Sequence, residues 1–213
     1  MSSNSIGFVH RFVPSSTGSS LTLLALHGTG GDESDMLPIA RELDFSASIL
    51  SPRGKVLEDG MPRFFRRLSE GVFDVKDLEF RTLELIDFVD ASAKKYHLNT
   101  DHVVAVGYSN GANIAANILL QRPDLLAGAI LLRPMLPVEP KIMPRLNSKP
   151  IFISEGLSDC IIPKASTARL IELLRESGAQ VNAASQIAGH ELVAGDIQDA
   201  KIWLREHFIE QLN

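Results

Sequence analysis

The feature that most limits the fold of this chain is a regular alternation between short apolar runs and longer amphipathic stretches. The apolar runs have the length of buried strands, and between them apolar residues recur at the spacing of one helix face. This alternation is typical of an α/β fold, in which a mostly parallel sheet carries helices on both faces. We predict strands at residues 21–26, 47–50, 103–106, 128–132, 151–154 and 181–186, with an edge strand near 8–13 as the seventh.

The amphipathic stretches predict helices at residues 77–96, 110–121, 166–177 and 197–211. Two further segments, 51–74 and 134–149, do not fit the alternation, and we interpret them as loops. Loops that leave the carboxyl ends of parallel strands border the ligand crevice, so both are candidate substrate walls. A chain of 213 residues, 45% of them hydrophobic, is long enough for one core, and we predict a single domain over residues 1–213.

Charge and cysteine content limit the partners of the chain. The net charge is -5 and no run of Lys or Arg exceeds two residues, which is evidence against nucleic acid as a partner. The single cysteine, Cys160, cannot form an internal disulfide or a paired-thiol metal site, which fits a reducing cytoplasm, and we expect it to be partly buried. Residues 1–20 lack the pattern of a secretory signal, and no apolar run approaches the ~20 residues of a membrane span.

A candidate nucleophile lies where the strand at 103–106 passes directly into an Ala-rich helical stretch. The residues at this point are Gly107-Tyr108-Ser109-Asn110-Gly111. A Gly-x-Ser-x-Gly turn between strand and helix needs small residues on either side, because the backbone doubles back and leaves the serine hydroxyl exposed at the helix N-terminus. The pattern together with its context predicts that Ser109 is a catalytic nucleophile.

A serine that attacks a carbonyl group needs two N–H donors for the oxygen that becomes negative. Asn110 supplies one by its position after the nucleophile, and the glycine-rich segment 28–31 after the first long strand offers the other, which we assign to Thr29. Such a segment also suits phosphate, but the chain lacks the Gly-Lys-Ser and Gly-x-Gly-x-x-Gly motifs of nucleotide sites. We interpret His27 as a brace for this segment.

The base and the acid must follow Ser109 if the chain uses the order serine, acid, histidine. His190 and His207 lie beyond the serine. His190 falls in a loop after a strand, whereas His207 lies within an amphipathic stretch, so His190 is the predicted base.

The acid should leave the strand at 151–154. Asp159 lies just beyond the end of that strand and is the predicted acid. Glu139 is the competing candidate, and Glu155 is too close to the strand itself.

Four segments, 26–31, 107–112, 156–163 and 189–190, together resemble the phospholipase/carboxylesterase family, which includes acyl-protein thioesterases and bacterial carboxylesterases. Residues 52–65 are especially similar to the bacterial branch. The resemblance implies an α/β-hydrolase fold with a minimal cap and a cytoplasmic enzyme without cofactor or metal. It implies Ser109, Asp159 and His190 as the triad and Thr29 and Asn110 as oxyanion donors.

The expected activity is therefore that of a serine carboxylesterase acting on small to medium carboxylic esters. A thioesterase, lysophospholipase or dienelactone-hydrolase-like activity could use the same triad, and a ligand-binding homologue without turnover is the alternative outside enzymes. The natural ester and the oligomeric state, including a homodimer, are left open by the sequence.

The predicted pocket wall lies beside Arg63, Arg66 and Arg67. Its members are Met61, Phe64, Phe65, Met135 and Leu136.

Overall fold

A computed structural model describes residues 7–210, which form a central sheet covered by helices. The sheet strands and two pairs of short strands are β1 (His10–Val13), β2 (Thr22–Leu26), β3 (Ser48–Pro52), β4 (Val56–Glu58), β5 (Met61–Arg63), β6 (Arg67–Ser69), β7 (Val72–Phe73), β8 (Val103–Tyr108), β9 (Gly128–Leu132), β10 (Pro150–Gly156) and β11 (Gln180–Gln186). The α-helices in this range are α1 (Leu37–Leu43), α2 (Val75–Tyr96), α3 (Asn110–Gln121), α4 (Lys164–Glu176) and α5 (Ala194–Leu204). A 3₁₀ turn at Thr100–His102 precedes β8, and a π-helical turn at Arg205–Ile209 follows α5.

The central sheet has seven strands in the order β1-β3-β2-β8-β9-β10-β11, which confirms the predicted number. β1 pairs antiparallel with β3, and every other pairing in the sheet is parallel. β2, β3 and β9 are buried along their whole length, as strands covered on both faces must be. All strands of this sheet except β1 share one direction, so their carboxyl ends lie at a single edge of the sheet.

Two hydrophobic layers hold the helices against the two faces of the sheet. In β2, Leu24 and Leu26 belong to the layer that includes buried residues of α2, α3 and α4. Leu23 and Ala25 point the opposite way and belong to the layer that includes buried residues of α1 and α5. This alternation with a period of two is what places helices on both sides of one sheet.

The interpretation of residues 51–74 as a loop was wrong. The segment contains two antiparallel hairpins, β4 with β5 and β6 with β7. The turn between β4 and β5 is Asp59-Gly60, and both residues have positive φ, 51° and 81°. Asp-Gly is a strong signal for a two-residue hairpin turn, so the sequence carried the information. The hairpins are small, which agrees with the predicted minimal cap.

Other boundaries differ by a few residues, and one short helix was missed. α1 has only seven residues, with Pro38 in its first turn, and is too short for its periodicity to show. α5 begins at Ala194, three residues before the prediction, because the Asp196 carboxylate accepts a hydrogen bond from the Val193 N–H and caps the first turn. The predicted end of that helix, Gln211, lies outside the described residues.

The second predicted loop is confirmed, since residues 134–149 contain no helix or strand. Among the helices of residues 7–210, none combines the length and the apolar character that crossing a bilayer requires.

Candidate active site

Ser109 lies between the end of β8 and the start of α3, at the carboxyl edge of the sheet. Its backbone has φ 51° and ψ -113°, a conformation that costs a non-glycine residue of the order of 1–3 kcal/mol. The Ser109 N–H donates to the Leu132 carbonyl at 2.9 Å, which holds the turn in place. A Cβ on Gly107 would lie 2.5 Å from the Gly111 carbonyl oxygen, and one on Gly111 would collide with the Leu26 carbonyl. The two glycines therefore permit the close approach that presents the serine.

Three side chains predicted as a triad lie in hydrogen-bond contact. His190 Nε2 is 2.9 Å from Ser109 Oγ, and His190 Nδ1 is 2.8 Å from Asp159 Oδ2. An ionised carboxylate can only accept, so Nδ1 must carry the imidazole proton and Nε2 must accept from the serine hydroxyl. This arrangement can take a proton from Ser109 as its oxygen becomes a nucleophile.

The surroundings of Asp159 keep its carboxyl ionised. Burial favours the neutral acid, but hydrogen bonds from His190 and from the N–H groups of Ile162 and Ile161 outweigh it, so the pKa of Asp159 is lowered. Both backbone donors point at Oδ1, at 2.8 Å from Ile161 and 3.0 Å from Ile162. The carboxylate is thus fixed by one oxygen and offers the other to His190.

The competing acids and the competing histidine lie elsewhere. Glu139 is exposed and forms an ion pair with Arg169 at 2.7 Å. Glu155 is part of β10, as expected for a residue too close to the strand. His207 Nδ1 donates to the Trp203 carbonyl oxygen at 2.8 Å, and its ring stacks on the Trp203 ring. The geometry therefore brings Ser109 together with none of these three.

His27 holds the glycine-rich segment that carries Thr29, which confirms the interpretation of His27 as a brace for this segment. His27 Nε2 accepts from the Gly54 N–H at 2.9 Å, so its Nδ1 donates to the Gly28 carbonyl at 2.7 Å. Burial lowers the pKa of His27 and keeps the ring neutral in this role. Thr29 and Asn110 both line the space in front of Ser109, and Asn110 is the first residue of α3, where helix N–H groups lack intrahelical partners.

A cavity of about 330 Å³ opens beside Ser109 and differs from the predicted pocket. Met135 lines it, held there by a hydrogen bond from its N–H to Asn113 Oδ1 at 2.9 Å. Leu136, next to it in the chain, packs against the core instead. The other described side chains around the cavity are Thr29, Arg63, Arg67, Glu70, Phe73, Tyr108, Ile161, Ile162 and His190.

The three candidates from the hairpin segment do not line this cavity. Phe64 and Phe65 are buried in the core, where Phe64 packs on the His27 ring and its N–H donates to Asn110 Oδ1 at 2.7 Å. Met61 is exposed and lies against Gly30. Phe64 and Phe65 lie in the bend between β5 and β6 and both enter the core, whereas Arg63 at the end of β5 and Arg67 at the start of β6 line the cavity.

Arg133 is a residue of the site that the sequence analysis missed. Its side chain is fully buried, and so is that of Asp196, with which it forms an ion pair at 2.6 Å. The same guanidinium donates to the carbonyl groups of Gly189 and Glu191, at 3.1 and 2.9 Å. These residues flank His190, so Arg133 fixes the histidine loop on both sides. A charged residue directly after the apolar strand β9 was the signal available in the sequence.

We predict that Arg133→Met destabilises the protein and loosens the histidine loop. The variant leaves the Asp196 carboxylate buried without its partner, which should lower the free energy of unfolding by about 3–5 kcal/mol. Urea denaturation measures this loss, and Arg205→Met is the matched control because the Arg205–Glu210 pair is exposed. Equal stability of the two variants would contradict the role of Arg133.

Cys160 is exposed, so the expectation that its thiol is partly buried was wrong. It follows Asp159 directly in the chain, and its Sγ lies 3.5 Å from the Ser158 carbonyl oxygen. Across residues 7–210 no group of three or more His, Cys, Asp or Glu side chains is arranged to hold a metal ion.

Comparisons with known proteins agree with the predicted fold and family. A family model described as phospholipase/carboxylesterase matches residues 13–208. The chain is 48% identical over 187 residues to MhqD of Bacillus subtilis, which covers 88% of this chain and 94% of that protein. The Bacillus cereus carboxylesterase structure is 46% identical with a TM-score of 0.92, covering 94% of this chain and 95% of that one.

A carboxylesterase structure from Mesorhizobium loti is also similar, with 30% identity, a TM-score of 0.90 and coverage of 94% of this chain and 96% of that chain. These matches extend over nearly the whole sheet and both of its helical layers. The structural neighbours confirm the predicted α/β-hydrolase fold. The chain belongs to the phospholipase/carboxylesterase family.

Proposed function

We propose that this chain is a single-domain serine carboxylesterase that hydrolyses small to medium carboxylic esters through an acyl-enzyme intermediate. In this proposal Ser109 is the nucleophile, His190 the base and Asp159 the acid, and the N–H groups of Thr29 and Asn110 bind the oxyanion. The family and its carboxylesterase members support the activity. The observation that carries the mechanism is the unbroken chain of contacts from Ser109 Oγ through the imidazole to Asp159.

The reaction follows from this geometry in two steps. His190 Nε2 takes the hydroxyl proton while Ser109 Oγ attacks the acyl carbon, and it then gives that proton to the departing alcohol. Water enters, loses a proton to the same nitrogen, and releases the carboxylic acid as the proton returns to Ser109. Asp159 holds the tautomer and stabilises the imidazolium that forms in each step.

A fluorophosphonate probe tests this proposal directly, because it reacts with serine hydroxyls that a neighbouring base activates. We expect stoichiometric labelling at Ser109, located by tandem mass spectrometry, together with loss of nitrophenyl-ester hydrolysis. Protein unfolded in urea before the reaction is the control and should remain unlabelled, since unfolding separates Ser109 from His190. A label on any other residue, or activity that survives complete labelling, would contradict the assignment.

The partners proposed for the enzyme are small-molecule esters, and we place it in the cytoplasm without nucleic acid as a partner. A single exposed cysteine and a net charge of -5 support this view. A homodimer stays a prediction that light scattering would test.

The alternative activities of the same triad can be ranked by assaying thioesters, lactones and lysophospholipids beside nitrophenyl esters. A chain that hydrolyses none of these substrates would be a binding homologue.

A further inference from the structure

Two arginines line the cavity beside Ser109, although the proposed ester chemistry requires neither. Arg63 comes from β5 and Arg67 from β6, so one lies in each hairpin. Arg63 is only 3% exposed, which is rare for a charged side chain without a complete set of partners. Its Nη1 donates to Thr29 Oγ1 at 2.8 Å, which places the guanidinium directly next to the proposed oxyanion donors.

The two guanidinium groups share one carboxylate. Glu58 accepts from Arg67 at 2.7 Å and lies 3.3 Å from Arg63 Nε. Glu70 also lines the cavity, but it is exposed in the turn between β6 and β7 and forms no ion pair with either arginine among the described residues. Beside Thr29 the cluster of Arg63, Arg67 and Glu58 therefore keeps one surplus positive charge, which the solvent-exposed Glu70 offsets only in part.

Both arginines also keep donors unused. A guanidinium group has five N–H bonds on three nitrogens. Within residues 7–210, Arg63 bonds through Nε and Nη1 and Arg67 through Nε and Nη2, which leaves Arg63 Nη2 and Arg67 Nη1 without a hydrogen bond. Burial also lowers the pKa of Arg63, a sign that its charge is incompletely compensated. An anion in the cavity would supply what both groups lack.

We propose that Arg63 and Arg67 form an anion subsite that binds a carboxylate carried by the ester substrate. This inference rests on the proposed esterase function and narrows its substrate class to esters with a free carboxylate. One surplus positive charge matches a monoanion such as a carboxylate, whereas a phosphate dianion would exceed it. The planar guanidinium fork also suits the two oxygens of a carboxylate.

The test compares pairs of esters in which an isopropyl group replaces the carboxylate. One pair carries the change on the acyl side: the p-nitrophenyl monoester of adipic acid and p-nitrophenyl 6-methylheptanoate. The second carries it on the alcohol side: 4-acetoxybenzoate and 4-isopropylphenyl acetate. For the wild-type enzyme we expect a higher kcat/KM for the anionic member of at least one pair.

Arg67→Gln is the informative variant, because Arg67 is partly exposed and its loss leaves Thr29 bound to Arg63. We expect the ratio of kcat/KM for the anionic and the neutral ester to fall by about 10-fold or more, the effect of one charge-assisted hydrogen bond. Arg67→Lys should keep part of the preference because it keeps the charge. Arg11→Gln removes the same charge from an exposed position on the edge strand β1 and is the matched control, for which the ratio should stay at the wild-type value.

The salt dependence of the wild-type enzyme gives a second readout that needs no substitution. Raising the ionic strength from about 0.01 M to about 1 M shortens the Debye length from about 30 Å to about 3 Å, so kcat/KM should fall for the anionic ester and stay unchanged for the neutral one.

Hydrolysis of both esters with no anionic preference and no effect of Arg67→Gln on the ratio of kcat/KM would overturn the subsite and leave the esterase function intact. Absence of Ser109-dependent hydrolysis of any ester would overturn the esterase function itself.

Discussion

Replacing Ser109 with alanine is expected to lower kcat for a nitrophenyl ester by at least about 10⁴-fold. The substitution removes the atom that forms the acyl-enzyme, and His190 is left without the proton it takes in the first step. The oxyanion donors and the cavity remain, so a small residual rate through direct attack by water is expected. Substrate binding should change little, since Ser109 Oγ contacts only the imidazole in the free enzyme.

Ser16→Ala is the matched control, because it makes the same change at an exposed serine that does not line the cavity. It should keep wild-type kcat, and both variants should keep the wild-type free energy of unfolding to within about 0.5 kcal/mol. Steady-state kinetics on the purified variants, with the uncatalysed rate subtracted, measures the effect. A Ser109→Ala enzyme that retains a tenth of the wild-type kcat would show that hydrolysis takes another route.

The members of the proposed triad could be predicted from the sequence because each follows a strand whose carboxyl end lies at the same edge of a parallel sheet. Ser109 follows β8, Asp159 follows β10 and His190 follows β11, and the chain order of such folds excludes the histidines that precede Ser109 as the base. The glycines at 107 and 111 left little choice for the nucleophile turn. Local pattern and topology agree at these positions, and the hydrogen-bond geometry brings the same three side chains together.

The cavity wall could not be predicted in the same way. Which side chains of an irregular segment enter the core depends on how the chain bends between its strands, and such a bend has no simple period that a sequence would show. Here the bend between β5 and β6 puts Phe64 and Phe65 in the core, while Arg63 and Arg67 on either side of it line the cavity. Hydrophobic residues were the natural choice for an ester pocket, but the two aromatic rings pack in the core instead.

The role of Arg133 was equally hidden, for a different reason. Its partners Gly189, Glu191 and Asp196 lie more than fifty residues further along the chain, and no local pattern links them. A long-range polar network becomes visible only when the fold brings its members together. Reactive residues are therefore easier to identify from the sequence alone than the residues that hold them in position.

Asp159→Asn is expected to lower kcat by about 10⁴-fold, and the structure gives a specific reason. Oδ1 of Asp159 accepts hydrogen bonds from the N–H groups of Ile161 and Ile162, so the amide oxygen of an asparagine must occupy that position. The amide NH₂ then faces His190 Nδ1, which has to accept. The proton moves to Nε2, where it points at Ser109, and the imidazole can no longer act as the base.

Glu139→Gln provides the matched control, because Glu139 is the other acid that the sequence left open and the same change removes one carboxylate charge. It should keep kcat within about twofold, since its contacts are to the exposed Arg169 on α4 and surface ion pairs contribute little. Steady-state kinetics of both variants, with urea denaturation to establish that each is folded, separates the two acids. A large loss of kcat in Glu139→Gln together with a small loss in Asp159→Asn would exclude Asp159 as the residue that orients His190. The reason is that the Ile161 and Ile162 N–H groups fix one side-chain oxygen of residue 159, so an asparagine there must turn its NH₂ group toward His190 and reverse the imidazole tautomer.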